Sequence, residues 1–565
     1  MDDDPFLAHY TYDLSPELVT CLNDKPPLVE EIVLEWPELG KMMFKRPKLT
    51  AVVDLNRRVK ALEDNRPFAK LPEVPVVFDA VGKLALHKQL KSTVKDVSQL
   101  QLDVLSIITR YHDFSYSERN FDNAEELRYC YCLHAVNHVL KSREIVVANN
   151  DKQDGDEDEM RDQGLTRPKV LILVPFKDSA YRIINMIISL LSPKENFNVV
   201  HKNRFSEEFT GHELMLPRKN PKPEDFEKTF VGNIDDAFRI GMAITKSSLK
   251  LYENFYNSDI IIASPLGLRM IIGADGESSR DYDFLSSVEV LIFDQAEIFL
   301  MQNWDHVLHI MSHFHLQPKE AHGTDLQRVR SWSINGLSKY YRQTIIFSSC
   351  KSPNLMAIQK NRCMNYGGSV SVINPIITGT ISHVVCSIKQ FYHKLNSKTP
   401  TESIKERFEY FTNKILTQLR ASNEKHVLIY VPSYFDYVCI RNYLKTEDYS
   451  FVQISEYTKP GKVARARDLF YHAECQILLY SERYHFYNRI KIRGIENIVF
   501  YQLPTIAGFY SELCNSIIDN DNSIRNITVL YSHFDACMLT SVVGTQRAKY
   551  MLTSEQKIHM FHSGA

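Results

Sequence analysis

The sequence predicts an α/β protein made of two parallel-sheet domains behind an irregular N-terminal arm. Three observations carry this. Short apolar runs at residues 170–174, 260–263, 288–293 and 344–347 alternate with helical patterns, as parallel strands buried on both faces do. The pattern breaks near Gly367-Gly368 and Asn374-Pro375, then restarts after a long polar helix (402–419) with strands at 427–431, 475–479, 497–501 and 527–531. A chain of 565 residues is also too long for one ordinary core. The expected division is an arm at residues 1–80, a first domain at 81–375 and a second at 376–565.

Each element has its own warrant. The arm mixes short apolar groups with Pro5, Pro16, Pro26, Pro27, Pro37, Pro47 and Pro67, which interrupt regular structure. Its Lys45-Arg46-Pro47-Lys48 run is read as a solvated turn in preference to a nuclear localisation signal. Residues 123–141 form an amphipathic helix with acidic residues in its first turn. Residues 149–164 carry Asp151, Asp154, Asp156, Glu157, Asp158, Glu159 and Asp162 with almost no apolar group, so a disordered acidic surface loop is expected. Helices follow at 179–191 and 266–272, and the Pro- and Lys-containing stretch 217–226 reads as loop.

Composition narrows the function classes. With 44% hydrophobic and 24% charged residues most of the chain should fold. Lys+Arg 67 against Asp+Glu 69 excludes a uniformly basic nucleic-acid coat, so any RNA contact is a local patch. Ten scattered cysteines without a CxxC pair give neither a disulfide framework nor a zinc ribbon, and a reducing intracellular compartment is expected. The acidic start Met1-Asp2-Asp3-Asp4 is unlike a secretory leader, and apolar runs such as 183–191 are too short to cross a bilayer.

The strand at 288–293 ends in Asp294-Gln295-Ala296-Glu297, and such a strand end is where an open α/β sheet places a ligand. In nucleotide hydrolases an Asp there holds magnesium and a following Glu activates water. Here Gln295 follows, and an amide cannot accept a proton as a carboxylate does. The phosphate loop G-x-x-x-x-G-K-[ST] is missing. Gly40-Lys41, Gly82-Lys83 and Gly461-Lys462 are followed by Met42, Leu84 and Val463, and Glu35, Val77 and Glu456 stand where the first glycine belongs. Residues 494–524 hold no Lys or Arg, which removes the arginine finger. No catalytic residue, cofactor or metal is therefore expected. His309 and His313, spaced like zinc ligands, lack a third partner and are read as a polar helix face.

Other blocks are similar to helicase motifs in order. Pro175-Phe176-Lys177-Asp178-Ser179-Ala180 looks like the P-T-R-E-L-A block of DEAD-box helicases, Ser264-Pro265-Leu266-Gly267 like T-P-G-R, Asp294-Gln295-Ala296-Glu297 like D-E-A-D, and Ser348-Ser349-Cys350 like S-A-T. With Phe238-Arg239-Ile240-Gly241, residues 256–267, Phe500-Tyr501-Gln502-Leu503-Pro504 and Val543-Gly544-Thr545-Gln546-Arg547-Ala548, the whole chain resembles the digestive organ expansion factor family. The resemblance implies two RecA-like domains of a degenerate DEAD-box-type helicase core. It also implies a nuclear, nucleolar protein of the small-subunit processome that binds pre-ribosomal RNA, small nucleolar RNA and processome proteins, with no membrane partner. The expected role is a non-catalytic scaffold in pre-ribosomal RNA processing. The alternatives are an ATP-dependent RNA helicase with unusual motifs and a purely protein-binding platform.

RNA contact is expected from a few cations. Lys177 replaces the Arg of P-T-R-E-L-A and can meet a phosphate as a point charge. Gly267 removes the T-P-G-R arginine, and Arg269 is not expected to replace it. In the second domain Lys459, Lys462, Arg465 and Arg467 lie on a loop and early helix, and Arg489, Lys491 and Arg493 alternate, which in an extended stretch puts them on one face. Beside Tyr484, Phe486 and Tyr487 this stripe suits single-stranded RNA. An ordinary solvated edge over core aromatics accounts for it equally well.

Overall fold

A computed structural model describes residues 4–24, 28–48, 68–69, 73–94, 96–150, 160–192, 197–212, 214–215, 219, 221–277, 279–422, 424–517 and 525–563. The chain divides into one compact unit of Met1–Ser349 with Asn354–Asn374 and a second of Cys350–Pro353 with Pro375–Ala565.

The first unit is built on β1 (Val29–Trp36), β2 (Gly40–Pro47), β3 (Asp113–Tyr116), β4 (Val170–Leu173), β5 (Asn198–Val200), β6 (Arg239–Ile244), β7 (Ser248–Leu251), β8 (Ile260–Ala263), β9 (Val290–Phe293), β10 (Gln343–Phe347) and β11 (Ser369–Val372). These form one sheet in the order β1-β2-β11-β3-β10-β9-β4-β8-β6-β7-β5. The run from β11 to β8 is parallel. Along β4 the side chains alternate between two cores. Val170 and Ile172 pack with the Ala124–Asn150 and Lys177–Leu191 helices, whereas Leu171 and Leu173 pack with residues of the Pro265–Ile272, Ala296–Met301 and Trp304–Ser312 helices. Burial on both faces is why these strands read as unbroken apolar runs.

The expected irregular arm is corrected. Pro5–Thr11 and Pro16–Asn23 are helices whose prolines sit in the first turn, where a missing N–H costs nothing. Phe6 and Tyr10 are buried in the core. β1 and β2 form an antiparallel hairpin, and β2 pairs with β11. Gly40 turns the hairpin at φ +64, and a Cβ there would stand 2.3 Å from the Asn374 side-chain oxygen, which accepts the Lys41 N–H. The basic run is not a free turn either, since Lys45 pairs with Glu31 and Arg46 with Glu30 across the hairpin.

The acidic stretch changes in part. Residues 151–159 lie outside the described residues, but Asn149 and Asn150 end the Ala124–Asn150 helix. Asp162 is buried, ion-paired with Arg328 at 2.6 Å, and its carbonyl accepts the Tyr10 hydroxyl.

Beneath the sheet, Glu289 is buried among His138 (2.7 Å), Lys169 (3.3 Å) and Arg330. The Tyr111 hydroxyl donates to Nδ1 of His138 at 2.8 Å, which leaves Nε2–H to face the carboxylate. The cations around Glu289 hold its carboxyl well below the usual range although burial opposes this.

The second unit contains β12 (Ile388–Lys394), β13 (Val427–Val431), β14 (Phe451–Ile454), β15 (Ile477–Ser481), β16 (Asn497–Phe500), β17 (Asn526–Tyr531) and β18 (Ile558–Ser563), ordered β14-β15-β13-β16-β17-β12-β18. β18 alone among these strands runs antiparallel, along β12. The polar helix expected at 402–419 is continuous from Pro400 to Ser422 through a π turn at Phe411–Leu416.

Candidate functional site

The site in the first unit is assembled where β3, β9 and β10 end. β3 lies against β10, and β10 against β9, so their carboxyl ends face one ligand position. Between β3 and the Ala124–Asn150 helix runs Ser117-Glu118-Arg119-Asn120-Phe121-Asp122-Asn123. A strand, loop and helix at this place in the sheet is the setting of a phosphate loop, yet this one has neither glycine nor lysine. The chain's Gly-Lys pairs lie elsewhere, so no sequence pattern marks this loop.

Arg119 fills the position. Its Nε donates to Oδ1 of Asp294 at 2.7 Å, and both side chains are almost wholly buried. The other Asp294 oxygen accepts the Tyr131 hydroxyl at 2.9 Å and lies 3.9 Å from Arg128. The Gln295 N–H adds a bond to Oδ1 at 2.9 Å. The Arg119 N–H donates to the Ser348 carbonyl, and Glu297 accepts the Ser349 N–H, so the block after β10 is tied to the same cluster. Burial pushes the Glu297 carboxyl up, against the pull of Arg119. Gln295 has φ +57, and its side-chain oxygen accepts the Ser179 hydroxyl. A magnesium ion at Asp294 would face the buried Arg119 guanidinium, a like charge already held against the carboxylate. Both oxygens of Asp294 are already engaged by protein donors, so this arrangement does not fit a magnesium–nucleotide complex.

The expected RNA-contacting cations separate. Lys177 is mostly buried and pairs with Asp235 at 2.7 Å. Arg269 donates to the carbonyl of Gly273 at the end of its own helix. Gly267 is glycine for a packing reason, since a Cβ would lie 2.0 Å from the Phe238 carbonyl oxygen. In the second unit Arg465, Lys491 and Arg493 are exposed. Arg489 is not: it is 6% exposed, its guanidinium lies 4.3 Å over Phe509 and it pairs with Glu512 at 3.4 Å. Its φ of +39 ends the Glu482–Asn488 helix, so the period-two expectation fails at its first member. Tyr484 and Phe486 are core residues.

A different surface gathers the remaining charge. Lys462, Arg465 and Arg467 are exposed on the Pro460–Tyr471 helix, and Arg467 donates to the Lys491 carbonyl at 3.0 Å. Tyr471, half exposed, lies against Gly494 beside Arg493. Arg467, Lys491, Arg493 and one open aromatic ring thus lie together, while Lys462 and Arg465 are exposed further around the same helix. Tyr471 was legible only through this packing.

The histidine pair is accounted for without metal. His309 Nε2 meets the Gly273 carbonyl at 3.0 Å, and His313 Nδ1 the His309 carbonyl at 2.7 Å. Among the described residues no cluster suited to a metal ion occurs, and no helix is long and apolar enough to cross a membrane.

Comparison with known proteins gives two family matches, residues 111–370 to "UTP25, NTP hydrolase-like domain" and residues 380–561 to "Utp25, C-terminal domain". A U3 small nucleolar RNA-associated protein 25 homolog of Xenopus tropicalis is 45% identical over 100% of this chain and 74% of its own length. The Homo sapiens homolog is 43% identical over 99% of this chain and 75% of its own. Among solved structures, the yeast DEAD-box splicing factor Prp28 aligns over 90% of this chain and 97% of its own at 12% identity, with a TM-score of 0.30.

Proposed function

The chain belongs to the UTP25 family, and from that premise we propose that it is a non-catalytic, helicase-like scaffold of small-subunit ribosome assembly in the nucleolus. On this reading it works in pre-ribosomal RNA processing with small nucleolar RNA and processome proteins, as the relatives' name, U3 small nucleolar RNA-associated protein, suggests. We read the digestive organ expansion factor resemblance as the same relationship. The observation that carries the non-catalytic half is the buried Arg119–Asp294 pair, which occupies the carboxylate a hydrolase would offer to magnesium.

ATP turnover by the purified chain is expected to stay at background with and without RNA. RNA-stimulated turnover that co-purifies with the protein and disappears in Asp294→Ala would restore the helicase alternative.

RNA binding is assigned to the exposed cations of the second unit, Arg467, Lys491 and Arg493 beside Tyr471, with Lys462 and Arg465 on the same helix. Each phosphate contact to a single strand releases counterions, about 0.7 per contact on a plot of log affinity against log salt. Reversing the charges of Lys462, Arg465, Lys491 and Arg493 together should weaken binding to unrelated single strands by similar factors and flatten that slope by about three. Lys177→Ala and Arg489→Ala should leave the slope unchanged, because both cations are already paired inside the protein. Unchanged RNA affinity in the four-charge variant, together with failed assembly into pre-ribosomal particles, would favour the protein-docking alternative.

A further inference from the structure

Among the described residues β18 pairs on one side only, with β12. In an antiparallel pair, residues alternate between those bonded to the partner strand and those whose N–H and C=O point away. The Lys394 N–H donates to the Lys557 carbonyl, and Lys557 stands directly before the register pair Ile558–His393. The bonded positions are therefore 557, 559, 561 and 563. The backbone groups of Ile558, Met560 and His562 face outward, and these are also the positions whose side chains are exposed. Natural sheet edges are blunted by proline, by a bulge or by inward charge. This edge presents Ile558 and Met560, 49% and 58% exposed.

A groove of about 430 Å³ runs beside it, lined by Gln546, Arg547, Tyr550 and Met551 of the Thr545–Thr553 helix and by Ile558, His559, Met560 and Phe561 of the strand. Residues from both faces of β18 line the groove, so it follows the free edge. Nε2 of His559 is buried there without a hydrogen-bond partner. Such a group is costly unless something bonds it. Arg547 lines the groove and is exposed, and Lys549 on the same helix and Lys557 directly before the strand are exposed too.

We propose that the free edge of β18 receives an extended peptide of a partner protein as an eighth strand, with acidic side chains toward Arg547, Lys549 and Lys557 and apolar ones over Ile558, Met560 and Tyr550. Main-chain bonds to residues 558, 560 and 562 supply affinity, and the groove selects alternate side chains. The surface lies apart from the Arg467–Lys491 face and does not depend on its RNA role.

The probe is a fluorescein-labelled synthetic peptide of eight residues alternating Asp or Glu with Ile or Val, titrated into the full chain and read by anisotropy. Saturable binding is expected, with slowed amide exchange at Ile558, Met560 and His562. Met560→Pro removes an outward donor and no bond to β12, so it should retain the thermal melt and weaken binding at least tenfold. A second variant, Arg547→Glu with Lys549→Glu, should lose the acidic peptide and gain its Lys-substituted counterpart. Equal affinity of wild type and Met560→Pro would overturn the proposal. So would equal affinity for a proline-interrupted peptide, displacement by poly-uridine, or self-association of the chain that Met560→Pro abolishes, since the edge would then serve RNA or a second copy.

Discussion

Replacing Arg119 by Leu should lower the unfolding free energy of the first unit by about 3–5 kcal/mol, the usual result of stranding one member of a buried ion pair. Asp294 would remain almost fully buried with only Tyr131, the Gln295 N–H and the more distant Arg128 to meet its charge. The loss should be read on the full chain by denaturant-dependent hydrogen exchange in the Ala124–Asn150 helix, with the second unit's β16 as internal reference. The double variant Arg119→Leu, Asp294→Leu should recover most of the loss, because apolar groups of similar volume replace buried pairs at little cost. In a working hydrolase the same Asp would be held for chemistry, and removing its partner would cost little stability. A loss below about 1 kcal/mol would mean that water reaches Asp294 and the pair contributes no more than a surface bridge.

That cluster marks the limit of what sequence alone discloses. Strands at 170, 260 and 290 were legible because burial on both faces leaves no polar position to confuse the period, and the expected strand at 344–347 was legible through Ile345-Ile346-Phe347 behind polar Thr344. β3 was not, since Asp-Phe-Ser-Tyr mixes polar and apolar residues, with Asp113 fixed by the Thr344 N–H. The hairpin was hidden by its flanking prolines, which sit at helix starts and strand ends where proline is tolerated. Asp294 was located by its strand. Its partner Arg119 lies 175 positions away and belongs to no recognisable motif, so only the closed sheet brings the two together. The Arg489 error has a local cause: one left-handed residue ends the short helix and changes the side-chain direction that simple alternation assumes.

Mild acid should destabilise the first unit. Burial pushes His9, His134 and His315 down to about 3 and His112 to about 4, and it also lowers His138. A histidine whose folded pKa lies below its unfolded value near 6.5 contributes stability above that value and loses it as pH falls toward the folded pKa. As pH falls from 6.5 toward about 4, unfolding therefore takes up protons at these sites, most fully at His9, His134 and His315. Three carboxyls act in the opposite sense, since burial pushes Asp113 up to about 7 and raises Asp178 and Glu297, so these release protons on unfolding. More imidazoles are lowered than carboxyls are raised, so net proton uptake on unfolding is positive and the unit should lose stability steadily as pH falls below 6.5. Denaturant midpoints from pH 7 to 4.5 test this, and His315→Asn should flatten the slope by about one proton. A flat profile across that range would show that the imidazoles stay solvated.

β11 has a consequence for how the chain is made. It lies between β2 and β3, so the hairpin at residues 29–47 has no place in the sheet until residues 369–372 arrive. About 325 residues separate Pro47 from Val372, which at roughly 5–20 residues per second is about 16–65 s of synthesis. Through that interval the unsheltered edge of β3 and the apolar face carrying Met42 and Phe44 are open to wrong pairing, and contacts of such high order also slow the final closure. The sheet of the first unit can thus close only after about two thirds of the chain has been made, with its earliest strands waiting longest for their neighbours.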